Sequence, residues 1–154
     1  MRTLQPPPVN LKGFTLTELL VTMVIVAILI AVVMPTYLSS IRKSRRTEAK
    51  AAVMDVAGRE ERYYSTTNTY SATPSDIGYA AVGVAYPVTV ASGYYTVTVT
   101  TAAGPPATYS ITANPVTGQG QEKDLPCASF TVTQTGQQSA LNSAGADNTT
   151  VCWR

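Results

Sequence analysis

Residues 12–35 read KGFTLTELLVTMVIVAILIAVVMP, and this stretch decides the fold class of the chain. Between Phe14 and Met34 the only ionisable side chain is that of Glu18. A helix over these residues spans roughly 30 Å at about 1.5 Å per residue, which is the thickness of a bilayer's hydrocarbon core. A buried core helix would show a polar face, but residues 19–33 offer only Thr22. The sequence therefore predicts a membrane helix at residues 14–34.

Residues 1–13 have the character of a removable leader. They contain Arg2 and Lys12, no acidic residue, and three consecutive prolines at 6–8 that cannot lie inside a helix. An ordinary secretory signal places its small-residue cleavage site after the apolar run, whereas here the small residue, Gly13, precedes it. We predict a leader peptide at 1–13 and cleavage after Gly13, which leaves Phe14 as the new amino terminus.

Glu18 needs a partner if it lies in lipid. A carboxylate in the middle of a membrane helix costs on the order of 2.5–3.5 kcal/mol on insertion scales, and less near a helix end. After the predicted cleavage, Phe14 carries a positively charged amine about 6 Å from Glu18 along the helix axis. The carboxylate can pair with its own amine or with that of another copy. A favourable interaction between the carboxylate, in the first turn of the helix, and the helix dipole is a third explanation, but it does not account for a glutamate in the membrane.

These residues carry a resemblance to a known family. Residues 12–19, KGFTLTEL, resemble the leader junction of type IV prepilins and the related pseudopilins. The resemblance implies that a prepilin peptidase cuts after Gly13 and methylates the amine of Phe14, and that Glu18 neutralises the amine of a neighbouring subunit during assembly. Pro35 matches the proline at which the family's helix kinks, in agreement with the hydrogen bond that a mid-helix proline removes.

A basic cluster, Arg42, Lys43, Arg45 and Arg46, follows the apolar segment. Simple positive-inside counting would place the carboxyl side of the chain in the cytoplasm. The leader junction implies the opposite orientation, with the head outside the inner membrane. We interpret the cluster as a site for anionic lipid headgroups or for neighbouring subunits, because an isolated basic cluster is weak support for nucleic-acid binding.

Beyond the membrane segment, the apolar period predicts that the helix continues to about residue 64. Ala49, Ala52, Val53, Val56 and Tyr63 recur at helical spacing and give one apolar face. Residues 65–93 contain turn residues and no helical period, so we predict a connecting loop with a short strand near 86–90.

The pattern then changes to a period of two. Residues 94–101, 107–113 and 128–134 alternate apolar with hydroxyl side chains, which is typical of half-buried antiparallel strands. Their apolar faces need a partner, and the alanine-rich face of the helix is the long one available. The predicted fold is α+β: a long N-terminal helix packed on a three- to four-stranded antiparallel sheet, which forms a head domain over residues 35–154.

Two cysteines, Cys127 and Cys152, both follow the membrane segment. In an oxidising compartment they most simply form one disulfide, and two separate buried thiols are the alternative. A bridge would close about 26 residues and contribute roughly 3–4 kcal/mol in the loop-entropy model. The polar stretch 138–150 would be flexible without it.

Catalytic and metal-binding groups are scarce. The chain has no histidine, which excludes Ser-His-Asp and Cys-His catalysis and the commonest zinc ligands. Glu60 and Glu61 are adjacent on a helix and therefore do not face each other as hydrolytic carboxylates would. Glu122 and Asp124 are conceivable calcium ligands, but a solvated turn explains them better. We predict no enzyme activity, no cofactor and no metal.

The leading hypothesis is a structural subunit of a type IV pilus, and the ending CWR after QTGQQS resembles minor pilins more than the principal subunit. The implied partners are other pilin subunits, the prepilin peptidase and methyltransferase, the inner-membrane assembly machinery, and membrane lipid before assembly; nucleic acid is not expected. The implied location is the inner membrane, with a periplasmic head, and then the extracellular filament. The competing hypotheses are a principal pilin, a secretion pseudopilin, or a membrane-anchored binding domain such as an adhesin.

Overall fold

The computed structural model describes residues 13–154. The predicted leader therefore lies, except for Gly13, outside the described residues. The chain divides into two compact units, one through Leu38 and one from Ser39 to Arg154, and we describe each by itself.

The first helix, α1, runs from Leu16 to Thr67 and contains Pro35 within it. Thr15 caps the start of α1: its hydroxyl accepts a hydrogen bond from the backbone N–H of Glu18 at 3.2 Å. This bond satisfies one of the donors that every helix start leaves unpaired. In the first unit the apolar side chains of α1 are exposed, and α1 is the one helix among residues 13–154 that is long and apolar enough to cross a membrane, by length and composition.

In the second unit α1 packs on a sheet through small residues. Its buried positions are Ala49, Ala52, Val53, Val56, Ala57 and Glu60. The predicted apolar face is therefore buried at its first four positions, and Tyr63 packs half-buried against the same core. Helix α1 ends at Thr67, where Asn68 takes a left-handed conformation with φ 56°.

The sheet has five antiparallel strands in the order β1-β2-β3-β4-β5. They are β1 Val88–Thr89, β2 Tyr95–Ala102, β3 Thr108–Pro115, β4 Ser129–Thr133 and β5 Gln138–Leu141. The inward side chains of β2 and β3 are buried in alternation, while their hydroxyl neighbours face outward, as the period of two predicted. The α+β class is confirmed, although the sheet has five strands rather than three or four.

Residues 138–150, expected to be flexible unless the disulfide holds them, are partly regular. This stretch contains β5 and the start of a short helix, α2, at Thr149–Cys152. Its sequence has no clear apolar alternation, so its structure depends on pairing with β4 and on the disulfide. The outer edge of β5 is covered by the end of the chain: the backbone N–H of Asn148 donates to the Ala140 carbonyl at 2.8 Å, and the Trp153 Nε1–H donates to the Ser139 carbonyl at 2.9 Å. A sheet edge with its groups paired in this way does not recruit further strands.

Aromatic rings form the centre of the head. Tyr95 and Phe130 are fully buried and meet edge to face with centroids 6.2 Å apart, and Trp153 meets Phe130 in the same way at 6.0 Å. Such pairs contribute about 0.5–1.5 kcal/mol beyond the area that they bury. The end of the chain is thereby attached to the core as well as to the edge of β5.

Candidate assembly site

The predicted processing site lies on exposed backbone just before α1. Phe14 is 82% exposed, and Gly13 is exposed as well. A Cβ atom added at Gly13 would meet no other heavy atom within 4 Å, and Gly13 does not take a left-handed φ. The described fold therefore does not itself require a glycine at this position, and the requirement must come from another molecule if there is one.

Glu18 lies in the first turn of α1 with an exposed side chain. Its backbone N–H is capped by Thr15, and the ion pairs found among residues 13–154 do not include its carboxylate. The carboxylate is thus placed one turn from Phe14, as expected from the sequence, and is available to a positive group from outside the chain.

The head uses part of the basic cluster internally. Arg46 donates from Nε and Nη2 to the two carboxylate oxygens of Asp124, both at 2.7 Å, and these side chains are only 11% and 3% exposed. The guanidinium of Arg45 lies over the ring of Tyr94 at 3.5 Å. Lys43, in contrast, is exposed. The cluster is therefore not a uniform basic patch, and two of its four members stabilise the head.

The expectation of a solvated turn at Glu122 and Asp124 was wrong for Asp124. Asp124 and Gln121 are buried, and the Gln121 amide donates to the phenolic oxygen of Tyr95 at 2.8 Å. Burial of this phenol raises the pKa of Tyr95 to about 12, and the nearby Asp124 charge acts in the same direction. Because both oxygens of Asp124 receive hydrogen bonds from Arg46, this carboxylate holds the loop against α1.

Cys127 and Cys152 are joined by a disulfide. The bridge connects the start of β4 with helix α2, and Asn148 adds a hydrogen bond from Nδ2 to the Pro126 carbonyl at 2.9 Å. The Asn148 amide is therefore engaged within the head.

A cavity of about 330 Å³ lies beside the disulfide, at the β5 edge of the head. We call it the cationic pocket, because Lys43, Arg46, Lys50 and Arg154 line it together with Thr47, Val151 and Cys152. Lys50 donates from Nζ to the Arg154 carbonyl at 2.9 Å, and burial together with the charge of Arg46 lowers the pKa of Lys50. None of the residues that line the pocket is acidic, although Asp124 pairs with Arg46.

A second cavity, of about 650 Å³, lies at the opposite edge of the sheet. We call it the acidic groove: it is lined by α1, Tyr79 and residues 88–92, and the acidic residues Glu48 and Asp55 lie on the helix side. Asp55 pairs with Arg59 at 2.9 Å. The Oε2 atom of Glu48 is buried and has no hydrogen-bond partner in the part of the chain that the structure describes.

Glu60 is a further buried carboxyl. Its Oε2 accepts a hydrogen bond from the Ser71 N–H at 3.0 Å, while Oε1 and the hydroxyl of Tyr86 are buried without partners within residues 13–154. Burial raises the pKa of the Glu60 carboxyl, with a contribution from nearby Glu61. Glu61 itself is exposed, so the two glutamates do not converge on one site.

Sequence reasoning missed both the acidic groove and the buried pair Arg46–Asp124. No local pattern marks either of them, because their members are far apart along the chain. For the acidic groove and the cationic pocket, the sequence held a signal only on the helix side: the seven-residue spacing of Glu48 and Asp55, and that of Lys43 and Lys50.

Two family models match the chain. Residues 10–34 match the prokaryotic N-terminal methylation motif, and residues 35–131 match the family described as type IV minor pilin ComP, DNA uptake sequence receptor. The two matches adjoin, and the second spans more than half of the chain.

Individual relatives match over shorter stretches. The type IV wide pilus major component PilA4 of Thermus thermophilus is 39% identical over 40% of this chain and 47% of its own length. The type IV major pilin protein PilA of Myxococcus xanthus is 30% identical over 45% of this chain and 31% of its own length, and the fimbrial protein EcpC of Eikenella corrodens is 34% identical over 46% of each. The chain thus spans about half the length, or less, of these curated relatives.

Proposed function

We propose, from the premise that this chain belongs to the type IV minor pilin ComP family, that it is a structural subunit of a type IV pilus and of the minor class. The observation that carries the proposal is the order of the two family matches: an N-terminal methylation motif is followed directly by a pilin head. The resemblance stated from the sequence is confirmed. A structural subunit needs a membrane-compatible helix and a compact head, and the chain has both.

Processing after Gly13 is the first step of the proposal. The peptide bond to be cut lies between two exposed residues, next to the start of α1, where a membrane peptidase could reach it. Methylation of the Phe14 amine would leave it basic, so its positive charge would persist in the mature protein. The family implies contacts with the processing peptidase and with other pilins, and we propose the inner-membrane assembly machinery and membrane lipid as the further partners.

Glu18 is the proposed assembly residue. Lipid offers helices little directional reason to associate, so a carboxylate on an apolar helix is a strong determinant of which neighbour it meets. Pairing of Glu18 with the Phe14 amine of a second subunit would place the two helices about four residues, or roughly 6 Å, out of register. Pro35 remains the predicted position at which the helix kinks in the filament.

The head is proposed to lie in the periplasm before assembly and on the extracellular filament afterwards. The disulfide supports this location, because such bonds persist in oxidising compartments. Positive-inside counting, which would place the head in the cytoplasm, is weakened by the contacts of two of the basic side chains. Arg45 lies over Tyr94 and Arg46 pairs with Asp124, so both are engaged within the head.

Binding of DNA, which the family description names, is the second candidate function for this chain. Affinity for DNA rises with the number of phosphates that Lys and Arg side chains neutralise, and a protein with about six to ten such contacts is steeply salt-dependent. The cationic pocket offers Lys43, Lys50 and Arg154 beyond the Arg46 that Asp124 already neutralises. A membrane-anchored binding domain and a secretion pseudopilin are two further candidate functions, and the variants below distinguish the first of them from a pilus subunit.

Mass spectrometry of the mature protein tests the processing step. A mass that begins at methylated Phe14 supports the proposal, whereas an intact Met1 or a cut beyond Met34 contradicts it. The variant Gly13→Val should accumulate as uncut precursor. Its control is Gly58→Ala, an interior helix glycine where an added Cβ meets no other atom within 4 Å, and which should be processed normally.

The variant Glu18→Gln tests the assembly step. It keeps the shape of the side chain and removes the charge, so processed protein should stay in the membrane and its amount in sheared filaments should fall at least tenfold. Glu61→Gln is the matched control, because Glu61 is an exposed glutamate of the same helix in the second unit. Normal incorporation of Glu18→Gln would refute the assembly role of Glu18, whereas absence of the wild-type protein from filaments would favour a mere membrane anchor.

A further inference from the structure

Residues 69–87, which we call the strap, connect the end of α1 with β1 and contact the last turns of that helix. Three consecutive residues of the helix bind the strap by side-chain hydrogen bonds: Arg59 to the Gly78 carbonyl, Glu60 to the Ser71 N–H and Glu61 to the Tyr70 hydroxyl. Among these helix residues Glu60 is fully buried, whereas Glu61 is exposed. Glu60 therefore makes the strap contact that is shielded from water.

The rest of the strap is weakly anchored. The described residues 69–87 contain no helix or strand. Pro74 and Ile77 are buried in the head, but Val82 and Val84 are exposed. A segment with few buried apolar side chains and no backbone ladder belongs to the part of a protein that opens most easily. The strap can therefore open while the sheet stays folded.

Two polar atoms, one on α1 and one on the strap, are buried without a hydrogen-bond partner within residues 13–154. They are Oε1 of Glu60 and the hydroxyl oxygen of Tyr86. Burial raises the pKa of the Tyr86 hydroxyl and the charge of Glu60 raises it further, so the two side chains lie within electrostatic reach of each other. Protonation of the carboxyl supplies an O–H donor, for which the Tyr86 oxygen is an acceptor. The neutral form of Glu60 therefore suits this contact better than the ionised form does.

The surroundings of Glu60 also disfavour its charge. Burial raises the pKa of its carboxyl, the Ser71 N–H opposes this, and the charges of Glu61 and Asp76 raise the pKa further. Asp76 belongs to the strap, where its Oδ2 accepts a hydrogen bond from the Ser71 hydroxyl at 2.7 Å. Ionisation of Glu60 therefore sets two like charges against each other across the contact.

The basic residue next to Glu60 is engaged by other groups. Arg59 pairs with Asp55 at 2.9 Å and donates to the Gly78 carbonyl. The remaining titratable groups that interact electrostatically with Glu60 are phenols, namely Tyr70 and Tyr86 of the strap and Tyr109 of β3. A charge on Glu60 would thus lie among carboxylates and neutral phenols.

We infer that the strap is a proton-controlled latch: it lies closed on α1 while the Glu60 carboxyl is neutral, and ionisation of this carboxyl releases it. In the open form the carboxylate regains its hydration, so its pKa returns to the ordinary value of about 4.3. The closed form therefore binds the proton more tightly and is favoured at low pH. Opening increases as pH rises from about 4 to the pKa of the closed form, by at most about tenfold per pH unit for one proton, and is constant above it.

Release of the strap changes the β1 side of the head. Tyr86 is separated from β1 by Pro87 alone, and Tyr79 lines the acidic groove. The open strap takes away one lining residue of the groove and frees the chain that leads into β1, which pairs with β2 through two residues. The inference goes beyond the proposed function, because it concerns the head by itself and holds whether or not the chain enters a pilus.

Hydrogen exchange of the full-length chain in detergent tests the latch. The protection factor, which is the intrinsic exchange rate divided by the observed rate at the same pH, is measured for the Ser71 and Tyr79 amides and for the amides of β2 and β3, from about pH 4 to about pH 8. The strap amides should be at least about tenfold less protected than the sheet amides, because the strap opens without unfolding of the sheet. Their protection should fall as pH rises and then become constant. Equal protection of strap and sheet, or strap protection that changes less than about twofold over this range, would overturn the inference.

Two glutamine variants identify the titrating group. Glu60→Gln is neutral at every pH and keeps an oxygen for the Ser71 N–H, so its strap protection should not depend on pH. Glu61→Gln is the matched control: it removes the exposed neighbouring charge and keeps the buried carboxyl, so most of the pH dependence should remain. An unchanged pH dependence in Glu60→Gln, or its loss in Glu61→Gln, would assign the effect to another group and refute the latch.

The wild type supplies a further test that needs no variant to fold. ¹³C NMR of the Glu60 side-chain carboxyl gives its titration midpoint, which should lie above the ordinary value of about 4.3. This midpoint should also agree, within about half a pH unit, with the pH at which strap protection becomes constant. A midpoint at or below the ordinary value would contradict the inference.

The outcomes are distinct from those of the proposed function. Strap protection that does not depend on pH refutes the latch and leaves the pilus function standing. Absence of the wild-type chain from filaments refutes the pilus function, and it does not alter a latch that is observed by hydrogen exchange.

Discussion

The ion pair between Arg46 and Asp124 offers the sharpest test of how the head is held together. It joins residues 78 positions apart through two hydrogen bonds of 2.7 Å, and the two side chains are 11% and 3% exposed. Breaking a buried pair costs about 3–5 kcal/mol, because the remaining charge is left without compensation. Arg46 keeps slight access to water, so we expect Asp124→Asn to lower the free energy of unfolding by about 3 kcal/mol, at the lower end of that range.

The double variant measures the interaction itself. Arg46→Met leaves the buried Asp124 carboxylate unpaired and should cost about 4 kcal/mol of unfolding free energy. Arg46→Met/Asp124→Asn leaves no unpaired charge, so it should cost less than the sum of the two single variants by at least about 2 kcal/mol. The exposed pair Asp55–Arg59 is the matched control, and Asp55→Asn should cost less than about 0.5 kcal/mol.

Denaturant unfolding of the full-length chain in detergent provides the assay. Trp153 is the single tryptophan and packs against Phe130, so its fluorescence reports on the head core. A coupling below about 0.5 kcal/mol between Arg46 and Asp124 would refute the conclusion that this pair acts as a buried unit. A cost for Asp55→Asn as large as that for Asp124→Asn would refute the distinction by burial.

Three further predictions concern the end of the chain and the buried carboxyl. Replacing Cys127 and Cys152 by serine should lower the free energy of unfolding by about 3.5 kcal/mol, from the loop-entropy model for a separation of 25 residues, and equal melting in reducing and oxidising buffer would contradict this. Because Trp153 is only partly buried, Trp153→Ala should cost about 3 kcal/mol, the lower end of the range for a core tryptophan. It should also increase hydrogen exchange at the β5 amides, an effect that a purely local loss would not show. Since the folded pKa of Glu60 is raised, the wild type should lose stability as pH rises from about 4 through that pKa. Glu60→Gln should remove this loss, and Glu61→Gln should retain most of it because burial is the larger cause of the raised pKa, as urea midpoints at several pH values would show.

Most of the fold followed from local patterns in the sequence. The uninterrupted apolar run, with Gly13 before it and Glu18 inside it, predicted the anchoring helix and the processing site, because insertion into lipid depends on residue type and length rather than on distant contacts. The alternation in residues 94–101 and 107–113 predicted two strands for the same kind of reason: side chains of a strand alternate between core and solvent.

Strand β5 and the role of Asp124 could not be predicted in this way. The segment from Gln138 to Leu141 has little β-forming tendency, and it becomes a strand because β4 pairs with it and the disulfide holds the following residues over its edge. Asp124 looked like a residue of a polar loop, since nothing near it in the sequence shows that Arg46 lies opposite. Contacts between residues far apart in sequence leave no periodic trace in it.

The sequence alone therefore determined which segment is expected to meet the membrane, where the chain is expected to be cut, and that a helix would cover an antiparallel sheet. Only the tertiary structure decided which charges are neutralised within the head, such as Arg46 by Asp124 and Asp55 by Arg59, and it placed Lys43 and Lys50 at one cavity and Glu48 and Asp55 at another. The physical reason is the range of the forces: transfer into lipid and backbone pairing follow from composition and period, whereas an ion pair depends on distances of a few ångströms that folding alone sets.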